Sequence, residues 1–456
     1  MSKTIKISRG LNIRLVGEAE KVLTSLPCKG SYAIKPTDFH NLVPKLLVKE
    51  GDNVKAGTIL FYDKYNERIK IASPVSGKIS AIIRGEKRRI LEIRIETGDE
   101  IDYENFGSAD PKKLNREEII EKLLNSGLWS FIRQRPFSIL ANPNDKPKAI
   151  FISAFDSSPL APDLDFVVHG HGEDFQTGLD AIAKLTDGKV HLNVRAGLGQ
   201  SKVFTNSKGV QINYFSGPHP AGNVGVQIHK IDPLNKGEVV WILYPQDVLA
   251  IGRFFKTGKY DATRIVALTG SEVKAPKYYK TWLGVNMAAL TEGNLLTLGD
   301  KKIRIISGNV LTGDKVEPTG YLGYYHTQVT VIEEGDKAQF FLTKGWLSPG
   351  FHKLSKSRLF PSWLMPGKKY KLDTNTNGEE RAFVVSGQYE EVFPFDIYPV
   401  QLLKSIIVND LDKMEQLGIY EVDPEDFALC EFVCTSKINS QEIVRKGLDL
   451  VQKECL

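Results

Sequence analysis

The chain has 456 residues, 41% of them hydrophobic and 25% charged. That is an ordinary soluble composition and, at roughly 150 residues per domain, enough for about three domains. It excludes a collagen, a coiled-coil rod and a largely disordered chain, and a net charge of +5 is too small an excess to argue for a nucleic-acid binder. Four cysteines and a start at MSKTIKIS lead to the expectation of a reducing cytoplasm and no signal peptide. The most apolar long stretch, 239–255, carries Pro245, Gln246, Asp247 and Arg253, so no membrane span is expected.

Residues 1–105 read as short strands and turns. In PKLLVKEGDNVKAGTILF, Gly51-Asp52 and Ala56-Gly57 mark turns, and Pro74, Gly77 and Gly85 punctuate the strands that follow. A small β-barrel or sandwich is predicted. Residues 106–114 read as a polar linker. Asn115 with Glu118 then signals a helix start, Ile119, Ile120, Leu123 and Leu124 make its apolar face, and Gly127 stops it.

From there to 257 strands and helices alternate. KAIFISAF, KVHLNVRA, VQINYF and VVWILYP are apolar runs suited to buried strands, as is RIVALTG just beyond. Helices are predicted over 175–185, behind Asp174, and over 246–256. This predicts an α/β layer on a mainly parallel sheet. Residues 258–335 return to strands, in LLTLGDKKIRII and GYLGYYHTQVTVIEE, with turns at Gly299-Asp300 and Gly313-Asp314. A loop- and strand-rich stretch occupies 336–395. The end, 396–456, reads as helices: Pro399 opens one, Gly418 stops the next, Asp423-Pro424 opens a third, and Asn439 with Glu442 the last.

Several motifs fall short of the chemistry they suggest. In carrier domains the modified lysine lies eight residues before the Pro of a P-x-x-G turn; here that position is Asn66, and Lys64 is two residues off, so an unmodified carrier-like barrel is expected. Ala196-Gly197-Leu198-Gly199-Gln200-Ser201-Lys202 has Lys in place of the third glycine of a dinucleotide loop, with no acid between Lys202 and Asp232. Gly217-Pro218-His219-Pro220-Ala221-Gly222 is followed by Asn223-Val224, not by the Lys-Ser/Thr a phosphate loop needs. His169-Gly170-His171-Gly172-Glu173-Asp174 lacks a second ligand pair and reads as a turn with Asp174 capping the next helix. Cys430 and Cys434, placed on one helix face, read as core thiols and not as a cluster site.

Two stretches stand out. From Trp129 to Phe137, three large aromatics and two arginines fall within nine residues: Trp129, Phe131, Arg133, Arg135 and Phe137. A flat, apolar, carbonyl-bearing ligand wants such aromatic walls and one or two donors, whereas the alternative is packing between domains. Further on, Trp346, Leu347, Phe351, Leu359, Phe360, Trp363, Leu364 and Met365 lie among His352, Lys353, Lys356, Arg358, Lys368 and Lys369. That stretch is either internal packing or a docking surface for a protein or for anionic headgroups.

KISRGLNIRLVGEAE, GLWSFIRQRPFS, FSGPHPAGNVGVQIHKIDP and the tail FPFDIYPVQLLKSIIVNDLDKMEQLGIYEVDPEDFALCEFVC together resemble, over nearly the whole chain, the A subunits of sodium-translocating NADH:quinone reductases. The order of units is also similar to the flavin-bearing subunit of respiratory complex I and the C subunit of the ferredoxin:NAD reductase complex. In those relatives a glycine-rich flavin loop stands where Trp129 to Phe137 stand here, the acidic nucleotide stretch corresponds to Phe155-Asp156-Ser157-Ser158-Pro159, and the four-cysteine motif is reduced to Cys430 and Cys434. The resemblance implies a fold of carrier-like barrel, Rossmann-like layer without nucleotide motifs, ubiquitin-like β-grasp and C-terminal helices. It implies a peripheral subunit at the cytoplasmic face of the bacterial inner membrane, with no tightly bound cofactor and with quinone as its ligand. Flavins, the iron–sulfur centre and NADH would belong to partner subunits, the membrane-embedded ones being the main contacts; the isolated chain would be inactive. The alternatives are a cofactor-free scaffold and a ferredoxin:NAD reductase-type subunit. Under the first reading the ring of the quinone lies beside Trp129–Phe137, with Arg133 or Arg135 donating to a carbonyl.

Overall fold

The structure is a computed structural model, and it describes residues 3–197, 199–296, 302–336, 340, 342, 343, 345, 347–356 and 359–455. Its centre is a seven-stranded sheet. Five strands are parallel, in the spatial order Lys3–Lys6, Gln211–Ser216, Lys189–Arg195, Ala149–Ser153, Val240–Leu243, and the antiparallel pieces Arg133–Arg135 and Ile139–Leu140 extend one edge. Ala149–Ser153 is buried at every position, as a strand covered on both faces must be. On one face the helices Gly172–Ile182 and Pro245–Thr257 cross where Gly178 and Gly252 let their backbones touch: a Cβ at Gly252 would strike the Asp174 carbonyl. The short helix Val224–Ile231 packs against Ala149–Ser153.

A six-stranded mixed sheet runs Asp314–Val316, Ile303–Ser307, Gln328–Glu333, Thr263–Thr269, Lys277–Trp282, Glu20–Ser25. The barrel-like part pairs a four-stranded sheet, which holds Gly30–Ile34, Ile90–Thr97, Gly77–Arg84 and Asn53–Val54, with a three-stranded one of Pro44–Leu46, Ile59–Asp63 and Asn66–Ala72. Phe61, Ile71, Val75, Ile93 and Ile95 fill its interior. The C-terminal helices Pro399–Ile407, Leu411–Gln416, Ala428–Val433 and Ser440–Cys455 form a second hydrophobic core with the first strand and the 215–226 region. Among the described residues no helix is long and apolar enough to cross a membrane.

Local signals place local features. Asn115 and Glu118 form a full capping box on the helix Arg116–Ser126, and Gly127 ends it with φ 80°. Pro399, Gly418 and Pro424 stand where a start, a stop and a start are expected. The departures come from pairing over distance. Lys3–Lys6 and Glu20–Ser25, read from sequence with the barrel, pair instead with Gln211–Ser216 and Lys277–Trp282. The linker 106–114 is strapped to the body, since Phe106 and Ala109 donate to the Gly258 and Phe255 carbonyls at 2.8 and 2.9 Å. The helix expected over 175–185 starts at Gly172 behind His171, so Asp174 lies in its first turn and pairs with Lys256 at 2.8 Å. Only Gln328–Glu333 of GYLGYYHTQVTVIEE is strand; the Gly-Tyr-rich part is a loop. Asp314 begins a strand and is not a turn residue, and the turn expected at Gly299-Asp300 lies outside the described residues.

Gly127 needs its glycine twice over: a Cβ there would lie 2.7 Å from the Ala72 Cβ, and φ is positive. Gly127→Ala should lower stability by about 1–3 kcal/mol in denaturant unfolding, well beyond an exposed Gly→Ala change.

Candidate functional site

The four strands Ala149–Ser153, Lys189–Arg195, Gln211–Ser216 and Val240–Leu243 follow one another in the chain, but the fourth lies on the other side of the first. At such a reversal the loops leaving the two strands diverge and open a crevice beyond their carboxyl ends. A cavity of about 280 Å³ lies there. Phe155, Asp156 and Ser158 line it from after the first strand, and Tyr244, Pro245, Gln246 and Asp247 from after the fourth. The six-stranded sheet closes the far side through Gly308–Thr312 and Tyr324–Gln328, and His219, Gly222 and Asn223 form another wall. A second cavity of about 340 Å³ adjoins it across Phe155, Asp156, Ser158, Pro162 and Leu164; Arg14, Arg195 and Lys369 line it together with Glu18, Asp163 and Asp165.

Arg133 and Arg135 sit two apart on one strand and therefore face the same side. Their fates differ. The Arg133 guanidinium lies 4.4 Å from the Tyr325 ring centre and 5.4 Å from that of Tyr244, and it lines the cavity. Among the described residues its side chain has no hydrogen-bond or ion-pair acceptor. Arg135, 3% exposed, is spent: its guanidinium meets Glu425 at 2.5 Å, Asp426 at 3.5 Å and Asp423 at 3.6 Å. Arg445 joins the cluster through Asp423 at 3.2 Å and donates to the Phe137 carbonyl at 2.9 Å. This knot fastens the C-terminal helices to the edge of the central sheet.

The three aromatics expected as ligand walls lie elsewhere. Trp129 is fully buried, donates from Nε1 to the Ala141 carbonyl at 2.7 Å and meets Trp241 edge-on. Phe131 stacks on Tyr260 beneath the Arg264 guanidinium. Phe137 turns to the C-terminal core against Tyr420. Of the five predicted site residues, the structure brings only Arg133 to the cavity; Trp129, Phe131, Arg135 and Phe137 build the support behind it. The bulky loop packs between units, because its rings find apolar partners on three different elements.

Sequence reasoning missed the other lining groups, which come from distant loops. The signal was present in Tyr324-Tyr325-His326 and in His219, which were read as strand and turn. His326 shares a hydrogen bond with the Ser307 hydroxyl at 2.8 Å, and His219 one with Ser157 at 3.0 Å. Burial pulls both imidazoles down to about 4, so both are neutral at pH 7. Asp156, lining the cavity, is pushed upward by burial despite the Ser158 N–H it accepts at 2.7 Å. Asp247 is occupied by Arg264 at 2.5 Å and by the Tyr244 N–H at 3.0 Å.

The remaining motifs carry less. Lys64 stands at the hairpin tip with its ammonium 5.7 Å from the Tyr65 ring centre, and Asn66 opens the next strand. Among the described residues no group of three His, Cys, Asp or Glu could hold a metal ion. Cys430 and Cys434 are free, buried thiols, and Cys434 closes its helix and does not lie within it. Trp346 and Arg358 of the basic aromatic stretch lie outside the described residues.

The knot generates two expectations. Arg135→Ala leaves carboxylates buried without their cation and should cost about 3–5 kcal/mol of stability, whereas Arg133→Ala should cost less than about 1 kcal/mol; urea unfolding of the two variants separates the roles. Asp426 is held well above the ordinary carboxylate range by burial, with Glu425 and Asp423 adding to the effect and one oxygen left without a hydrogen-bond partner. A folded-state value above the unfolded one stabilises below the unfolded value and is lost as pH rises through the folded one. Asp426→Asn should therefore match the parent only below about pH 4, and melt increasingly higher than it as pH rises from there to 8 in thermal scans.

With this geometry in hand, three family sequence models match the chain: "NqrA N-terminal barrel-sandwich hybrid domain" over residues 5–98, "NqrA second alpha/beta domain" over 114–260 and "NQRA C-terminal domain" over 265–317. The A subunits of several Na(+)-translocating NADH-quinone reductases are similar along the whole chain. Those of Neisseria meningitidis serogroup A and Hahella chejuensis are 40% identical, and that of Yersinia pestis 41%, each over 99% of this chain and 100% of the relative. Among solved structures, a chain of an NAD+-reducing NiFe hydrogenase is 11% identical with a TM-score of 0.38, covering 78% of this chain and 67% of that one, too distant a likeness to carry an argument. The extent and identity of the full-length matches settle the family: the chain belongs to the A subunits of the Na(+)-translocating NADH-quinone reductases.

Proposed function

We propose that this chain is a peripheral, quinone-binding subunit of a sodium-pumping NADH:quinone oxidoreductase, and that the quinone ring enters the cavity at the strand reversal. The observation that carries this is Arg133, a guanidinium with unspent N–H donors held between the rings of Tyr244 and Tyr325. A quinone is flat, neutral and bears carbonyl acceptors, and it would lie against tyrosine faces with one carbonyl on Arg133. The cavity's charge argues for a neutral ligand: Asp156, Asp247 and Glu425 line it beside Arg133 and Arg264, which disfavours a phosphate. Trp129, Phe131, Arg135 and Phe137 then act by holding the strand that presents Arg133.

In this reading the barrel is carrier-like without a carrier lysine, the central layer Rossmann-like without nucleotide motifs, and the six-stranded sheet a β-grasp. NADH oxidation, flavins, the iron–sulfur centre and sodium movement reside in partner subunits, chiefly the membrane-embedded ones. The chain sits on their cytoplasmic side and is inactive alone.

Calorimetric titration of the purified chain with short-chain ubiquinone tests the site. Saturable binding is expected, weakened by about 1.5–3 kcal/mol in Arg133→Ala, the cost of a charged hydrogen bond. Saturable binding untouched by Arg133→Ala would move the site, and no saturable binding would leave a scaffold that binds no small molecule.

A further inference from the structure

The stretch 340–371 is unlike the rest of the chain. Its 32 residues hold six lysines, one arginine and neither Asp nor Glu; removing those seven cations from the net +5 leaves −2 for the remainder. Its described part closes on itself. Lys368 Nζ donates to the Phe351 carbonyl at 2.6 Å, the Ser355 N–H to the Ser362 hydroxyl at 3.2 Å, and Phe360 lies against Gly350. The Tyr370 backbone ties it to the body, donating to the Arg14 carbonyl at 2.8 Å and accepting from the Val16 N–H at 3.0 Å. Yet several of its large apolar side chains lie outside. Leu359 is 69% exposed, Leu364 61%, Phe351 59% and Trp363 54%. A loop that spends its hydrogen bonds on its own closure while exposing such side chains is built to meet another apolar phase.

We propose that this loop seats the protein on an anionic lipid surface. Phe, Trp and Leu beside lysines is the composition that inserts at the headgroup boundary, with apolar groups below and ammonium groups level with the phosphates. The preponderance of lysine decides against a protein partner, because protein interfaces enrich arginine and deplete lysine. Lys356, Lys369 and Lys371 are partly offset by Glu391, Glu18 and Glu272. Lys353 reaches Asn377 and the Phe360 ring, with Asp373 nearby, and Lys368 donates to the Phe351 carbonyl. The proposal is independent of whether the cavity takes a quinone.

Co-sedimentation of the full chain with phosphatidylcholine vesicles, with and without phosphatidylglycerol, is the test. Pelleting is expected with the anionic vesicles only and should fall as salt rises. Lys353→Gln should lower the partition coefficient by up to about fivefold, the full worth of a lysine at an anionic surface. Leu359→Ser with Leu364→Ser, both on the exposed face and away from the closing hydrogen bonds, should remove the residual binding at high salt. No pelleting, equal pelleting with neutral vesicles, or unchanged binding in both variants would overturn the proposal. So would capture only by vesicles that carry the membrane subunits of the complex, which would make the face a protein interface.

Discussion

Everything near the cavity depends on one buried cation, Arg135. Three carboxylates from a single turn, Asp423, Glu425 and Asp426, converge on it, and Arg445 shares the excess charge from the last helix. A charge this deep is tolerable only when paired, and once paired it fixes whatever carries it. Here it fixes the strand Arg133–Arg135 against the C-terminal helices. Two residues away on the same face, Arg133 inherits that rigidity and feels Glu425 only at a distance, without an ion pair to it. Position along one face of the strand thus separates an anchoring guanidinium from one left without an ion pair.

Behind the strand, the bulky loop serves as a wall. Trp129 against Trp241, Phe131 against Tyr260 and Phe137 against Tyr420 tie one short segment to the central sheet, to the connection that leads into the six-stranded sheet and to the C-terminal core in turn. A glycine-rich loop in that place would admit a ligand to its backbone but would leave these three contacts unmade. The chain has exchanged backbone access for packing, and recognition passes to the cavity on the other side of the strand.

What was legible in the sequence follows the range of the interactions. Asn115, Glu118, Gly127, Pro399 and Gly418 act within a turn or two of themselves, and each stands where local chemistry places it. The central parallel strands were legible because runs such as Ala149–Ser153 and Val240–Leu243 are apolar almost throughout and buried at every position. The hydrogen-bond partners of Arg135 lie 290 and 291 residues away, so nothing local distinguished it from Arg133. The same holds for Lys3–Lys6 and Glu20–Ser25, whose pattern marks strands without saying which sheet they join. Tyr244, Tyr325 and His326 were hidden for a related reason: each sits in an unremarkable loop, and only the crossing of two sheets brings them to one crevice.

The cavity and the basic loop are opposite solutions to presenting charge. In the cavity, burial neutralises both histidines, Arg264 is matched by Asp247, and Glu425 is matched by Arg135. What remains is one directed donor, Arg133, beside Asp156, which burial pushes toward its neutral form. Such a site has orientation but little net field, which suits an uncharged ring and offers a phosphate no advantage. The stretch 340–371 has the reverse design: charges of one sign, with no Asp or Glu among them. A field of that kind distinguishes poorly among small molecules and responds strongly to a charged plane. Selectivity for a ligand and attachment to a surface are thereby assigned to different parts of the chain, joined through Tyr370 and the segment around Arg14.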